Sequence, residues 1–311
     1  MENVSVMTVF VLTAYTEMED LRNLYFTLFL LLYIFILFFN LIIVIVIYIE
    51  RGLHKPMYFF ICNLAVNGMY GSTSLLPSIL VHLMSQTYEI SLTCCLLQIF
   101  CLHTYASIEI AILAVMGYDR YIAICYPLQY HTIMSPRKAI RLIAFSWVYP
   151  CFCFGLYFVM TVQCTFCDRF IDKVYCINFA LVRLSCHDTS IHSIVGLVVT
   201  VFLLILQVLM ILFSYAQILR VCLHASKESQ AKAIQTCAPH LLAVLNYAVG
   251  CLSEIMQNRS NMSHVSYRDR IFMSLYFLIF PPMLNPVIYG VSIQAIRIQI
   301  FKLFKRKKVI F

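Results

Sequence analysis

Long apolar stretches alternate with shorter polar ones along most of this chain. Each apolar stretch is long enough for a helix that crosses the hydrocarbon core of a bilayer, which takes about 20 apolar residues. The seven stretches lie at roughly residues 24–49, 57–80, 96–118, 140–160, 191–220, 233–254 and 270–290. Because they use nearly the whole chain, residues 1–311 are predicted to form one all-α membrane domain, a bundle of seven transmembrane helices.

The composition excludes a soluble domain. Hydrophobic residues make up 62% of the chain and charged residues only 12%, with a mean hydropathy of +0.87, whereas soluble domains carry about 25% charged residues. The net charge of +8 then reflects basic loops that face anionic lipid at the membrane surface. Nucleic-acid binding is not predicted, since no soluble face is left to carry it.

The distribution of charge predicts which end of the bundle faces the cytoplasm. Four acidic residues and a single Arg22 precede the first span, and basic residues beginning with Arg51 follow it. Because Lys and Arg accumulate on the cytoplasmic side, residues 1–23 are expected outside the cell and residues 291–311 inside, in a multi-pass plasma-membrane protein. Residues 1–23 lack the pattern of a cleavable signal peptide, and Asn3 begins an Asn-Val-Ser glycosylation tripeptide.

Glu109 is the acidic residue that lies deep within a predicted span. A charge at this depth costs several kcal/mol on insertion scales, so such a residue is by default a candidate for a functional site. The alternative is a glutamic acid that hydrogen-bonds to a neighbouring helix and holds the bundle together. The two interpretations carry equal weight.

Asp119 and Arg120 lie at the cytoplasmic mouth of the third span. There an Asp can restrain an Arg through a charge-assisted pair, and release of the Arg would expose its donors to a partner. The alternative is an Arg that anchors the helix end to lipid phosphates. Taken alone, the dipeptide favours the anchor.

Five sequence motifs, one of which contains Asp119-Arg120, change this interpretation. They are LHKPMYFFICNL at 53–64, MGYDRYIAICYPLQY at 116–130, SYAQI at 214–218, KAIQTCAPHL at 232–241 and PPMLNPVIYG at 281–290. Together they resemble the signatures of the odorant receptor family of rhodopsin-like G-protein-coupled receptors, and NLAVNGMYG is similar to fish-type members. The resemblance implies a receptor that binds a small-molecule odorant and activates a stimulatory, olfactory-type heterotrimeric G protein, which raises cAMP.

The same resemblance implies roles at the inner end of the bundle. Asp119 would restrain Arg120 at rest, and tyrosines from other helices would hold Arg120 in the active state while a G-protein tail enters. The residues with implied coupling roles are Asp119, Arg120, Tyr121, Tyr215, Asn285, Pro286 and Tyr289. The tail after the seventh span alternates basic and apolar residues at helical spacing, so it is predicted to form a short amphipathic eighth helix on the inner membrane surface.

Some positions depart from the family pattern. Gly68 stands where many members carry an acidic residue that helps to bind sodium. A sodium site would therefore rest on Glu109 alone, which disfavours it. Glu109 is a candidate for such a site or for a polar core, and no other metal or cofactor is predicted. Tyr247 replaces the Trp of most rhodopsin-like receptors, as it does in odorant receptors, and Asn246 replaces the usual Phe beside it.

Six of the fourteen cysteines fall in the predicted outer segments, where disulfides form. By resemblance, Cys95 should pair with Cys176 and tie the long second outer loop to the third helix, and Cys167 with Cys186 would then close that loop on itself. Cys94 and Cys164 are left over, and either a bond between them or two free thiols is open. A zinc site at Cys164-x-x-Cys167 is less favoured because no second matching pair occurs.

Helical periodicity places two sets of residues on facing arcs near the outer end of the third and sixth spans. The arcs contain Leu102, His103, Ala106, Ser107 and Ile110 on the third span and Tyr247, Gly250, Cys251 and Glu254 on the sixth. A mostly apolar cleft with a few polar groups is typical of a small-molecule site. His103 and Glu254 are the candidates for ligand selectivity; alternatively, His103 bonds to a neighbouring helix and Glu254 is solvated at the rim.

Two other functions are alternatives to this one. A non-olfactory rhodopsin-like receptor would share the mechanism and differ in ligand, and the five motifs argue against it. A transporter or channel would show internal repeats, broken helix pairs or several charges in the membrane. An enzyme is not predicted, since no nucleophile, base and orienting group can be assembled from these motifs. The sequence pattern indicates no particular oligomeric state.

Overall fold

Seven long helices and one shorter helix make up most of the computed structural model, which describes residues 7–85, 87–259 and 265–307. The helices are α1 (Arg22–Ile49), α2 (Pro56–Met84), α3 (Leu92–Cys125), α4 (Pro136–Val162), α5 (Ser190–Leu223), α6 (Lys227–Arg259), α7 (Tyr267–Ser292) and α8 (Gln294–Lys307). Each predicted span lies inside one of the first seven helices, in chain order. Asn3 lies outside the described residues.

Within the described residues, six of the long helices are apolar enough as well as long enough to cross a membrane: α1 and α3 to α7. The other, α2, has 29 residues and packs against α1, α3 and α7. It carries Asn67, Ser72 and His82, all of them buried. Polar residues of this kind lower the mean hydropathy of the helix.

Local sequence explains several helix starts. The Ser91 hydroxyl accepts from the backbone N–H of Cys94 at 3.3 Å at the start of α3, and Ser135 accepts from Lys138 at the same distance at the start of α4. Such side chains replace the partner that the first helical N–H groups lack. Pro56 and Pro136 occupy the first turns of α2 and α4, where a missing N–H costs nothing.

A small sheet covers one end of the bundle. Its strands β1 (Val9–Leu12), β2 (Glu89–Ser91) and β3 (Phe170–Ile171) follow the order β2-β1-β3, with β1 antiparallel to β2 and parallel to β3. We call this end the sheet end and the opposite one the Arg120 end. The N-terminal segment thus pairs with two loops that lie far away in sequence.

The N-terminal segment also contributes to the core. Phe10, Leu12 and Tyr15 are fully buried, and the Tyr15 hydroxyl donates to the carbonyl of Val174 at 2.7 Å. Sequence analysis identified residues 1–23 only as a mostly polar outer segment, and it did not predict this strand.

Two disulfides fix the loops of the sheet end, with the pairing that the family resemblance implied. Cys95 on α3 is bonded to Cys176, and Cys167 is bonded to Cys186. Cys94 and Cys164 are free thiols. The loop between α4 and α5 is therefore tied to α3 and closed on itself.

The buried strand predicts a stability effect. Phe10 is 0% exposed and its ring centroid lies 5.4 Å from that of Phe166, so Phe10→Ala should destabilise the fold by about 3–5 kcal/mol and lower the thermal unfolding midpoint of the purified protein. Val9, in the same strand, is 42% exposed, and Val9→Ala should leave the midpoint nearly unchanged. Equal midpoints for the two variants would show that β1 does not contribute to the core.

Candidate functional site

An ion pair forms the centre of the Arg120 end. Arg120 Nη2 donates to Asp119 Oδ2 at 2.6 Å, with the Asp119 side chain 0% exposed and the Arg120 side chain 13% exposed. The Tyr130 hydroxyl donates to the other oxygen, Asp119 Oδ1, at 2.7 Å. Charge-assisted bonds of this kind are about twice as strong as neutral ones, so Asp119 holds Arg120 from one side and the following loop from the other.

The chain turn after α3 brings Tyr130 to this position. A short 3-10 segment at Pro127–Gln129 reverses the chain, and Tyr130 begins a one-turn helix that ends at Ile133. Burial raises the pKa of the Tyr130 phenol above its usual range, and the Asp119 carboxylate raises it further. The phenol therefore stays protonated at neutral pH and remains a donor to Asp119.

A second contact joins α3, α5 and α6. His240 Nε2 lies 2.8 Å from the carbonyl of Leu113, and His240 Nδ1 lies 2.7 Å from the Tyr215 hydroxyl. Since a carbonyl only accepts, Nε2 carries the proton and Nδ1 accepts from Tyr215. Tyr215, predicted to meet Arg120 once the bundle opens, is bonded to His240 in this structure.

The other predicted coupling residues surround these contacts. The Tyr121 ring meets Phe213 edge-on at 5.7 Å, and its hydroxyl donates to that of Tyr126 at 3.4 Å. Tyr289 is 1% exposed. Pro286 lies within α7, together with two further prolines, so several backbone donors are missing along this helix.

Glu109 links three helices in the middle of the bundle. Asn67 Nδ2 on α2 donates to Glu109 Oε2 and Asn285 Nδ2 on α7 donates to Glu109 Oε1, both at 2.7 Å. Asn40 on α1 extends the cluster, since its Nδ2 donates to the carbonyl of Pro282 at 2.8 Å. These contacts support the polar-core interpretation of Glu109, and they assign Asn285 to it.

The close approach of α7 explains Gly68. A Cβ atom at Gly68 would lie 3.0 Å from Pro282 Cβ and 3.3 Å from Pro282 Cα, so an acidic side chain there would press against the backbone of α7. The neighbouring Asn67 provides the polar contact to Glu109. The sequence did not indicate Asn67, since one isolated polar residue on a helix carries little signal.

The donor set of this cluster is compatible with a sodium ion. The amide oxygens Oδ1 of Asn40, Asn67 and Asn285 are buried and have no hydrogen-bond partner among the described residues. Amide and carboxylate oxygens are hard ligands that suit hard cations. Glu109 would supply the negative charge.

A hydrogen bond joins the two predicted ligand arcs. The Tyr247 hydroxyl on α6 donates to the carbonyl of Ala106 on α3 at 3.0 Å. Leu102 is buried, Ser107 and Cys251 are half-buried, and Cys251 packs against the apolar core that contains Tyr247. Gly250 permits close packing of α6 on α7, since a Cβ atom there would lie 3.0 Å from Phe277 Cα.

His103 lies at the contact between α3 and α4. Its ring stacks on Phe154 of α4, with centroids 4.5 Å apart and planes at 9°, and its Nδ1 lies 3.2 Å from the carbonyl of Ile99. The ring therefore packs on a neighbouring helix, whereas its hydrogen bond is to its own helix and not to a neighbouring one. The face of α3 that carries His103 borders both α4 and the cleft. In this structure the ring packs on Phe154 of α4.

The loop after α4 forms a roof over this region. The Tyr175 hydroxyl lies 2.8 Å from Ser274 Oγ on α7, and the backbone N–H of Cys176 donates to Gln98 Oε1 on α3 at 2.8 Å. Burial raises the pKa of Tyr175 well above its usual value, and the nearby Glu254 carboxylate raises it further. Glu254 therefore lies close to the roof, on the same side of the molecule as the disulfides.

Sequence reasoning missed several members of these networks. Asn246 accepts from the Tyr276 hydroxyl at 3.0 Å, which gives a role to the polar residue that replaces the family Phe. Tyr130 and His240 lie in two of the five motifs, but the motifs do not indicate which residues they contact. The sequence indicated a role for Tyr175 only because it directly precedes Cys176, which was expected to form a disulfide.

Comparisons with known proteins agree with this arrangement. A sequence profile for the family described as olfactory receptor matches residues 29–307. The chain is 34% identical over 309 residues to Olfactory receptor 1E16 of Mus musculus, which covers 99% of this chain and 98% of that protein. It is 35% identical over 279 residues to Olfactory receptor 52K1 of Homo sapiens, covering 87% of this chain and 86% of that one.

A solved structure shares the fold. The crystal structure of squid rhodopsin superimposes with a TM-score of 0.72 over 91% of this chain and 86% of that chain, at 17% sequence identity. The predicted bundle of seven transmembrane helices is thereby confirmed.

The Glu109 cluster leads to a prediction about stability. Glu109→Ala removes the acceptor of the buried Asn285 amide and one of the two acceptors of the buried Asn67 amide, whose other bond is to the Tyr105 carbonyl, and an unsatisfied buried group costs about 1–3 kcal/mol. The thermal unfolding midpoint should therefore fall clearly, whereas Glu89→Ala, at an exposed position, should have little effect. A Glu109→Ala variant as stable as Glu89→Ala would contradict a structural role for the cluster.

Proposed function

Since this chain belongs to the olfactory receptor family, we propose that it binds a small-molecule odorant and activates a stimulatory, olfactory-type heterotrimeric G protein, which raises cAMP. The protein is a multi-pass plasma-membrane receptor and not an enzyme. The observation that carries the proposal is the Asp119–Arg120 pair, held by Tyr130 at the end of α3.

The proposed orientation places the sheet end outside the cell and the Arg120 end inside. Charge supports this orientation, because Arg51, Arg137 and Lys227 lie in or beside the connections at the Arg120 end. Lys and Arg are enriched on the cytoplasmic side of membrane proteins. The two disulfides lie at the sheet end, and disulfides persist in oxidising surroundings outside the cell.

The proposed ligand site lies between α3, α6 and α7, below the roof. Its floor is the bond between Tyr247 and the Ala106 carbonyl, and its roof is Tyr175 bonded to Ser274. Glu254 lies near the roof. Because the Tyr247 bond joins α3 to α6, a ligand that enters here acts directly on the packing of the two helices.

The structure supports a resting arrangement of the Arg120 end. Arg120 is bonded to Asp119, and Tyr215 is bonded to His240 on α6. In the proposed active state α6 moves away, Arg120 leaves Asp119, and Tyr215 and Tyr289 become its neighbours. A ligand drives this change only by its differential affinity for the two states, about 1.4 kcal/mol for each tenfold ratio.

A sodium ion is part of the proposal for the middle of the bundle. Glu109 and the amide oxygens of Asn67 and Asn285 would hold the ion when it binds. The ion would supply positive charge beside the Glu109 carboxylate and so stabilise the resting packing of α2, α3 and α7.

The receptor function is tested by cAMP measurements in cells that express the chain with the olfactory-type G protein, screened with a broad odorant panel. Arg120→Ala should abolish the odorant-driven rise in cAMP at unchanged surface level, because the released Arg120 is the group offered to the G protein. Lys232 is an exposed cation at the Arg120 end and is paired with the exposed Glu228. The control variant Lys232→Ala should respond like the wild type. Odorant-driven current in the absence of a G protein would overturn the receptor assignment.

The ligand site yields a separate expectation. Glu254→Ala should shift the half-maximal odorant concentration by about tenfold for some ligands, equivalent to about 1.4 kcal/mol, because Glu254 lies near the roof. Asp269→Ala, at an exposed position on α7, serves as the control. His103→Ala should have the smaller effect, since the ring packs on Phe154. Unaltered dose-response curves for Glu254→Ala with every active odorant would retire this assignment.

A further inference from the structure

Four polar side chains at the sheet end form a closed ring that the proposed receptor function does not use. Tyr157 and Thr161 belong to α4 and His192 to α5, and Asn178 begins the one-turn helix Asn178–Val182 in the loop between them. Thr161, Asn178 and His192 are buried. The ring therefore joins three elements at a largely buried position.

The distances define a circle of four hydrogen bonds. Asn178 Nδ2 donates to the Tyr157 hydroxyl at 2.8 Å, and Thr161 Oγ1 donates to Asn178 Oδ1 at 2.9 Å. His192 lies between the two hydroxyls, with Nδ1 3.0 Å from Tyr157 and Nε2 3.1 Å from Thr161.

Counting protons fixes the state of His192. The single proton of the Thr161 hydroxyl is used on Asn178, so Thr161 must accept from His192, and Nε2 carries the imidazole proton. Nδ1 is then the acceptor, and the Tyr157 hydroxyl donates to it. Each of the four residues donates one bond and accepts one, which makes the ring complete only with a neutral imidazole.

A second proton on His192 breaks this arrangement. The new Nδ1–H would face the Tyr157 O–H, so two donors would meet and Tyr157 would have to turn its proton away from its partner. The added positive charge would also be buried among neutral hydroxyl and amide groups, which is costly without a paired anion. Protonation therefore favours a form in which the ring is open and His192 reaches water.

We propose that His192 is a proton-binding site through which acid outside the cell releases the loop between α4 and α5 from those helices. The proposal uses the orientation given above, with the sheet end outside. An ordinary imidazole takes up its proton at about pH 6.5, so the closed ring prevails above this range and the open form gains as the pH falls through it.

Other titratable groups lie on the elements that carry the ring. On α4 these are the Tyr157 phenol itself and the thiol of Cys164, which donates to the carbonyl of Met160 at 3.4 Å. On the loop side Asn178 is neutral, and ahead of α5 the Asp188 carboxylate accepts from the hydroxyl and N–H of Ser190 at 2.6 Å and 2.9 Å. The two hydroxyls that contact the His192 ring nitrogens are both neutral.

Helix packing is adapted to the ring. Gly196 on α5 lies directly against the Tyr157 hydroxyl, and a Cβ atom at Gly196 would overlap it. The glycine thus leaves room for the phenol between α4 and α5. Asn178 follows two residues after Cys176, which is bonded to α3, so opening the ring leaves the roof held at α3 and α7 and frees it on the α4–α5 side.

Hydrogen–deuterium exchange of the full-length receptor in lipid nanodiscs tests this inference. The amides of Asn178–Val182 are compared between wild type and His192→Gln at about pH 7.5 and about pH 5.5, on either side of the imidazole range. The ratio of the two exchange rates at one pH removes the intrinsic effect of pH on exchange. Helix α8 (Gln294–Lys307), at the Arg120 end, serves as the internal reference.

The expected result is a wild-type to variant ratio that rises at least about threefold on acidification, within the limit of about tenfold per pH unit for one proton, with no change in the reference helix α8. A ratio that is the same at both pH values overturns the proposal. Tyr157→Phe provides a second test if His192→Gln does not fold. It removes the phenol from two ring bonds, so the segment should exchange fast at both pH values, and persistence of the full wild-type pH dependence in this variant would also overturn the proposal.

Discussion

The hydrocarbon of a bilayer offers polar groups no hydrogen-bond partner, so the buried polar side chains of this bundle must bond to protein, and several of them bond to another helix. Glu109 receives amide donors from α2 and α7, His240 joins α6 to α3 and α5, and Asp119 binds its neighbour Arg120 and the following loop. Apolar packing in lipid distinguishes poorly between helix arrangements. These few polar contacts therefore decide which faces meet and which state the receptor occupies.

Most of these contacts lie along α3. From the sheet end to the Arg120 end they involve the carbonyl of Ala106, the carboxylate of Glu109, the carbonyl of Leu113 and Asp119. Their partners on α6 are Tyr247 and His240, seven residues apart on one helix. The Tyr247 contact with Ala106 and the His240 contact with Leu113 thus join the same two helices, α3 and α6. A ligand that disturbs the Tyr247 contact therefore also acts on the helix pair that His240 joins near Arg120. This geometry gives a physical route from the proposed ligand site to the coupling site.

Features set by local sequence could be predicted, and features set by distant contacts could not. The seven helices follow from apolar length, and the Asp119–Arg120 pair follows from adjacency. The strand at Val9–Leu12 was missed because its partners lie about 80 and 160 residues away in loops without strand patterns. Periodicity predicted which face of α3 carries His103, but that face borders α4 as well as the proposed cleft. The stacking on Phe154 depends on tertiary packing and could not be predicted from periodicity. Asn67 and Asn178 carried no signal, since a single amide has meaning only when its partner is known.

The central claim is that Asp119 restrains Arg120 and so keeps the receptor at rest. Agonist-independent cAMP in cells that express Asp119→Asn tests it most directly, because asparagine keeps the shape and the contact with Tyr130 while the charge that holds Arg120 is lost. Basal cAMP should exceed the wild-type level at equal surface expression, and it should return to background when Arg120→Ala is added. Basal cAMP equal to that of the wild type, with the protein at the surface and responsive to an odorant, would contradict it.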